Sequence, residues 1–110
     1  NQVNVWSVGG NGVPQRARAL AIPGITTVSD VAVSPDGRLL VVTAEGGIAP
    51  GLYLFDRVAP LDPQLVSYTR VATGLHTGEV KEVGGRTYVF AARNPPGPAM
   101  LIYDVTEVGL

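Results

Sequence analysis

The chain has 110 residues, enough for one small domain, with a net charge of −1. Charged residues are 15% of the chain, against about 25% in an ordinary soluble domain, and no basic stripe occurs, which argues against a nucleic-acid partner. No apolar run reaches the roughly 18 residues of a membrane-spanning helix, and with no cysteine there is no disulfide or thiol chemistry, whichever the compartment.

In chain order, the start at Asn1 rather than Met points to a processed, excised or engineered N-terminus, and no signal peptide is visible. Val3–Val8 reads as a strand, Gly9–Pro14 as a loop, and Arg16–Ile22 as a second strand in which Arg16 and Arg18 alternate with apolar neighbours. Pro23-Gly24 breaks it. Val28–Val33 is the next strand, followed by Ser34-Pro35-Asp36-Gly37, where Pro pre-sets φ, Asp bonds its own backbone and Gly accepts a positive φ. Leu39–Ala44 is a continuous apolar run, too short for an ordinary helix and suited to a strand buried on both faces. Leu52–Phe55 follows the glycine-rich loop and closes at Asp56. Beyond the turn-rich Pro60–Pro63 link come Gln64–Val71, a strand from Leu75-His76 through Glu79–Val83, then Arg86–Ala92 and Met100–Val105. That is nine strands. The 14 glycines and 9 prolines fall at the turns between them rather than in one low-complexity block.

Landmarks recur at one spacing. Gly84-Gly85-Arg86 lies on Asp36-Gly37-Arg38, Tyr88–Ala92 on Leu40–Ala44, and Leu101-Ile102-Tyr103-Asp104 on Tyr53-Leu54-Phe55-Asp56, an offset of 48 at both the turn and the closing Asp. Val5-Trp6-Ser7-Val8 lies on Ile102-Tyr103-Asp104-Val105, so the chain opens inside a repeat. Repeats of about 40–50 residues with four strands each mark the blades of a β-propeller. With blade strands a to d counted from inside to outside, the order is c-d, a-b-c-d, a-b-c. The expectation is an all-β, two-blade unit: 1–22 the outer strands of a partial blade, 28–71 a complete blade, and 75–105 a blade lacking its outer strand.

Ser34-Pro35-Asp36-Gly37 before a hydrophobic run resembles propeller repeats of the YVTN and lactonase-like kind. Gly84-Gly85-Arg86-Thr87-Tyr88-Val89-Phe90 with Leu101-Ile102-Tyr103-Asp104-Val105 resembles the LVIVD-repeat propellers of bacterial surface and secreted proteins. The endings Phe55-Asp56 and Tyr103-Asp104 echo the WD dipeptide, from which Trp6-Ser7 departs. The resemblance covers nearly the whole chain and implies a secreted or periplasmic bacterial location. It speaks to fold alone, because propellers serve as enzymes, scaffolds and binders alike.

A propeller closes with four to eight blades, as a rule, and nine strands amount to little more than two. Two blades alone leave both broad faces and the end strands bare. Burying a face of several hundred Å² at roughly 25 cal/mol per Å² is worth on the order of 10 kcal/mol, comparable to a whole domain's stability. Either the chain is an excerpt of a longer propeller, or two, three or four copies close a ring. In the second case Arg16, Ala17, Arg18, Ala19 and Leu20 of one copy pair with Met100, Leu101, Ile102 and Tyr103 of the next. One c strand is then surplus, Val3–Val8 or Met100–Val105.

Few residues suggest chemistry. His76, the only histidine, begins an innermost strand near Thr77 and Glu79; copies in a ring would assemble imidazoles able to hold a metal. Its plainer role is a hydrogen bond into the loop before the strand. Asp30 occupies a comparable place in the other unit, as part of a polar channel ring or, more simply, as a turn cap. Asp36 belongs to its turn, and Asp56 and Asp104 are expected to accept backbone hydrogen bonds. Arg93-Asn94-Pro95-Pro96-Gly97-Pro98 is either a stiff presented surface or a plain exposed connection. Trp6, Tyr53, Tyr88 and Tyr103 are expected to pack between blades. No Gly-x-Ser-x-Gly elbow, phosphate-binding glycine loop or two-histidine metal motif occurs, and no spacing nominates a triad. The reading is a non-catalytic scaffold without cofactor, whose partner is itself. The alternative is an enzyme or a metal- or ligand-binding propeller with a channel site at His76 and Glu79. Carbohydrate or peptide binding by loops on one ring face has no residue to support it.

Overall fold

A computed structural model of the chain describes residues 1–97 and 99–110; Pro98, at the end of the proline-rich loop, lies outside the described residues. Nine strands follow one another: β1 Gln2–Val8, β2 Pro14–Ala21, β3 Thr27–Val33, β4 Leu39–Glu45, β5 Gly51–Asp56, β6 Gln64–Arg70, β7 Leu75–Val83, β8 Arg86–Arg93 and β9 Ala99–Asp104. All pairings are antiparallel, and the strands form three sheets ordered β1-β2, β3-β4-β5-β6 and β7-β8-β9. No helix occurs among the described residues. The nine strands expected from the apolar runs are therefore present, each within two residues of its expected ends.

The central strands β4 and β5 of the middle sheet are buried on both faces, which is why β4 carries no polar alternation. Leu39, Val41, Leu52 and Leu54 pack against Leu75, Val80, Val89, Ala91 and Val105 of the β7–β9 sheet and its C-terminal extension. Their neighbours Leu40, Val42, Ala44, Tyr53 and Phe55 face the other way, onto Leu20, Ile22 and Ile25 with Val3 and Val5 behind. The Ser34–Asp36 turn launches β4: Ser34 Oγ donates to Asp36 Oδ1 at 2.6 Å and accepts the Leu39 N–H at 2.9 Å, while Asp36 Oδ1 also accepts the Arg38 N–H. The Ser34 hydroxyl, then the Arg38 amide, hold the Asp36 carboxyl below its ordinary range.

In the packing the 48-residue spacing survives between β5 and β9 but not between β3 and β7 or β4 and β8. Residues of the third sheet that face the middle sheet correspond to residues of the middle sheet that face β1-β2. On that footing 47 residues separate Val31 from Gly78, 49 separate Leu40 from Val89, and 48 separate Tyr53 from Leu101. The cause is the hairpin loop. Val83 pairs with Arg86 around the two-residue turn Gly84-Gly85, both at positive φ (59° and 79°), as a type I′ turn requires. Val33 instead pairs with Leu40 across a longer loop that contains Gly37. Matching Arg86 to Arg38 places β4 and β8 one residue out of phase, and one residue moves every side chain to the opposite face.

The flanking sheets are covered on one face only. In β1, Val3 and Val5 turn inward, while Trp6 is 54% exposed rather than packed between sheets. In β9, Leu101 and Tyr103 turn inward, and Met100 and Ile102 are 67% and 59% exposed. On β3, Ala32 packs toward β7–β9, so Val31 and Val33 point to the side of β1-β2. That sheet contributes two strands and leaves them about half exposed (49% and 47%).

Candidate functional site

The edge strands β3 and β7 of neighbouring sheets meet side by side, and both carry a β-bulge there. The β3–β4 register skips Ser29, and the β7–β8 register skips His76. A bulge re-aims the residues beside it, and those residues join the two sheets. Ser29 Oγ lies 2.5 Å from the Leu75 carbonyl oxygen and 3.0 Å from that of Thr43. Asp30 Oδ2 accepts the backbone N–H of Gly78 at 3.0 Å, and its Oδ1 accepts the Val31 N–H at 2.9 Å.

Asp30 is thus not a turn cap: it sits within β3, beside the bulge, and clamps β3 to β7. With both oxygens engaged, it is committed to holding strands. Glu79 shares a groove of about 350 Å³ with Asp30, Thr77 and Gly78 and pairs with Lys81 at 3.1 Å. His76 is not in that groove, though it lies at the start of β7. It is the bulged residue of β7, well exposed, with Nδ1 3.4 Å from Glu45 Oε2, and the other Glu45 oxygen accepts a hydrogen bond from Asn94 Nδ2. The structure therefore brings Asp30 and Glu79 together and sets His76 apart. Among the described residues no three His, Cys, Asp or Glu side chains converge as a metal ion would need.

At the strand ends, Asp56 Oδ1 accepts the Val58 N–H, and Asp104 accepts the Thr106 N–H and hydroxyl together with Arg86 Nε at 2.7 Å. The Thr106 hydroxyl and then the Arg86 guanidinium hold the Asp104 carboxyl at about 2. In the proline-rich loop, the Arg93 guanidinium donates to the Gly97 carbonyl, bracing the turn from within; Pro98 of that loop lies outside the described residues. Tyr53 is buried and Tyr103 half-buried, and burial raises both phenols above their ordinary value.

Of the residues expected to pair copies, β2 carries Arg16 to Leu20 with its inner edge bonded to β1: Val3 opposite Leu20, Val5 opposite Arg18 and Trp6 opposite Arg16. β9 carries Met100 to Tyr103 with one edge bonded to β8 and the other unpaired among the described residues. Sequence patterns missed Ser29, Glu45, Asn94 and above all Arg38. Its guanidinium reaches the carbonyls of Val105, Thr106 and Val108 and ties down the C-terminal turn. Nothing about an arginine after a glycine turn signals a contact so far along the chain. Comparison with family models, with curated proteins and with solved structures finds no match.

Proposed function

We propose that this chain is a propeller-type unit of about two blades, acting as a non-catalytic scaffold that joins copies of itself into a closed ring of two, three or four chains. One observation carries the reading: the sheets stack face to face in chain order, and the stack ends on apolar faces at Trp6 and Val8 on one side and Met100 and Ile102 on the other. Contiguous exposed apolar surface of this kind marks an interaction site, and a head-to-tail contact between two different faces builds rings when the rotation closes. Sedimentation equilibrium tests it. A discrete mass of two, three or four 11.5 kDa chains supports the ring, and a well-behaved single chain at micromolar concentration overturns it.

A second reading, a ligand or metal site toward the ring axis, draws on the groove shared by Asp30 and Glu79, which a ring would repeat once per copy. Metal analysis of purified protein separates the two. Stoichiometric metal lost on Glu79→Ala, a change inside that groove, supports the site reading, and its absence leaves the scaffold.

A further inference from the structure

Nine strands are one more than two four-stranded sheets need, and a ring has no place for both β1 and β9 as third strands. We infer that β1 is an exchangeable strand: in the assembly it leaves β2, and β9 of a second copy takes its place. This rests on the ring reading above and goes beyond it by naming the strand displaced, its replacement and the register.

Three features converge on that exchange. First, the two strands are held unequally. β1 has no fully buried residue; besides the β2 ladder and the partly buried Val3 and Val5, its hold on the rest of the chain is at Asn1, whose side chain donates to the Ile25 carbonyl and whose carbonyl accepts the Ile22 N–H. β9 runs into the buried Val105, and Arg38 holds the carbonyls on both sides of the turn beyond it. Second, the faces match. Val3 and Val5 cover the middle sheet from β1, and Met100 and Ile102 stand 97 residues after them. With Asp104 they are the β9 side chains that alternate away from their own core, and they are the apolar ones. Seated on β2, they would meet the second copy's middle sheet where Val3 and Val5 do now. Third, the exchange covers what β1 cannot. A single hairpin leaves Val31 and Val33 half exposed, whereas β9 arrives with β8 and β7 attached and lays a three-stranded sheet over them.

The register is specific: Ile102 opposite Arg18 of the second copy and Met100 opposite its Leu20, replacing Val5 and Val3. Opposed residues of an antiparallel pair have the Cα separation a disulfide spans, and the chain has no cysteine to interfere. Arg18→Cys with Ile102→Cys should, on oxidation, give covalently linked multimers, since these residues lie on different sheets of one chain. Asn4→Cys with Ala19→Cys, opposed on β1 and β2, should lock β1 in place. Oxidised, that variant should lose assembly by sedimentation, and reductant should restore it. A chain that still assembles, yet never forms the crosslink between positions 18 and 102 or assembles unchanged with the lock closed, overturns the exchange and leaves the ring standing. A single-chain mass for the unaltered protein overturns both.

Discussion

Asp30 accepts the backbone N–H of Gly78 at 3.0 Å, joining the edge strands β3 and β7 of neighbouring sheets through one carboxylate and one residue without a side chain. Gly78 is required there by space, not by backbone angle: a Cβ would lie 2.8 Å from Thr43 Cγ2. Gly78→Ala should cost about 1–3 kcal/mol by overpacking, and adding Thr43→Ser, which removes the opposing methyl, should recover much of it. Asp30→Ala strips the Gly78 amide of its acceptor and should cost about 1–3 kcal/mol, Asp30→Asn distinctly less. Urea unfolding midpoints check all four variants.

Arg38 should be more than a surface charge. Its planar fork serves three carbonyls at once, a geometry lysine cannot copy. Arg38→Lys should therefore loosen the segment after Val105 nearly as much as Arg38→Ala. Amide exchange should speed up at residues 105–110 while β4 stays protected.

The Asp104 carboxyl titrates at about 2, below its ordinary 3.8, held down first by the Thr106 hydroxyl and then by Arg86. A carboxyl depressed on folding adds stability that is complete above its unfolded value and lost as the pH falls through the folded one. Asp104→Asn should thus narrow its stability deficit against the unaltered chain between about pH 4 and pH 2. A deficit that stays constant across that window would mean the carboxylate's contacts do not matter. Asp36, also lowered, is present in both proteins and cancels.

Val31 and Leu39 should separate folding from assembly. Leu39 is fully buried in the inner core, and Leu39→Ala should cost about 2–5 kcal/mol in unfolding. Val31→Thr changes a half-exposed side chain and should leave the fold of the chain intact. Its effect should instead be a weaker association constant in sedimentation, since the valine's uncovered face is what a second copy would bury.

Strand number and approximate limits were legible because apolar runs of four to eight residues bounded by Gly, Pro and Asp leave little choice of element. The buried β4 and the Ser34–Gly37 turn followed from local chemistry that operates within five residues. What escaped was anything requiring register. Bulges at Ser29 and His76 leave no mark in the residue order, so Asp30 read as a turn cap and His76 as a regular strand residue bonded into the loop before it. Trp6 read as a packing aromatic because strand periodicity tells that two faces differ, not which one finds a neighbour. The Arg38 clamp and the Glu45–Asn94 bond join residues far apart in the chain, and only the folded stack brings them together.

The mismatch between Gly84-Gly85 and the longer loop after Val33 has a practical corollary for protein engineering. Anyone who swapped one hairpin for the other at the uniform 48-residue offset would turn the graft's oily residues toward water. A faithful transplant would have to carry each loop together with the strands it joins, so the two hairpins are not interchangeable parts.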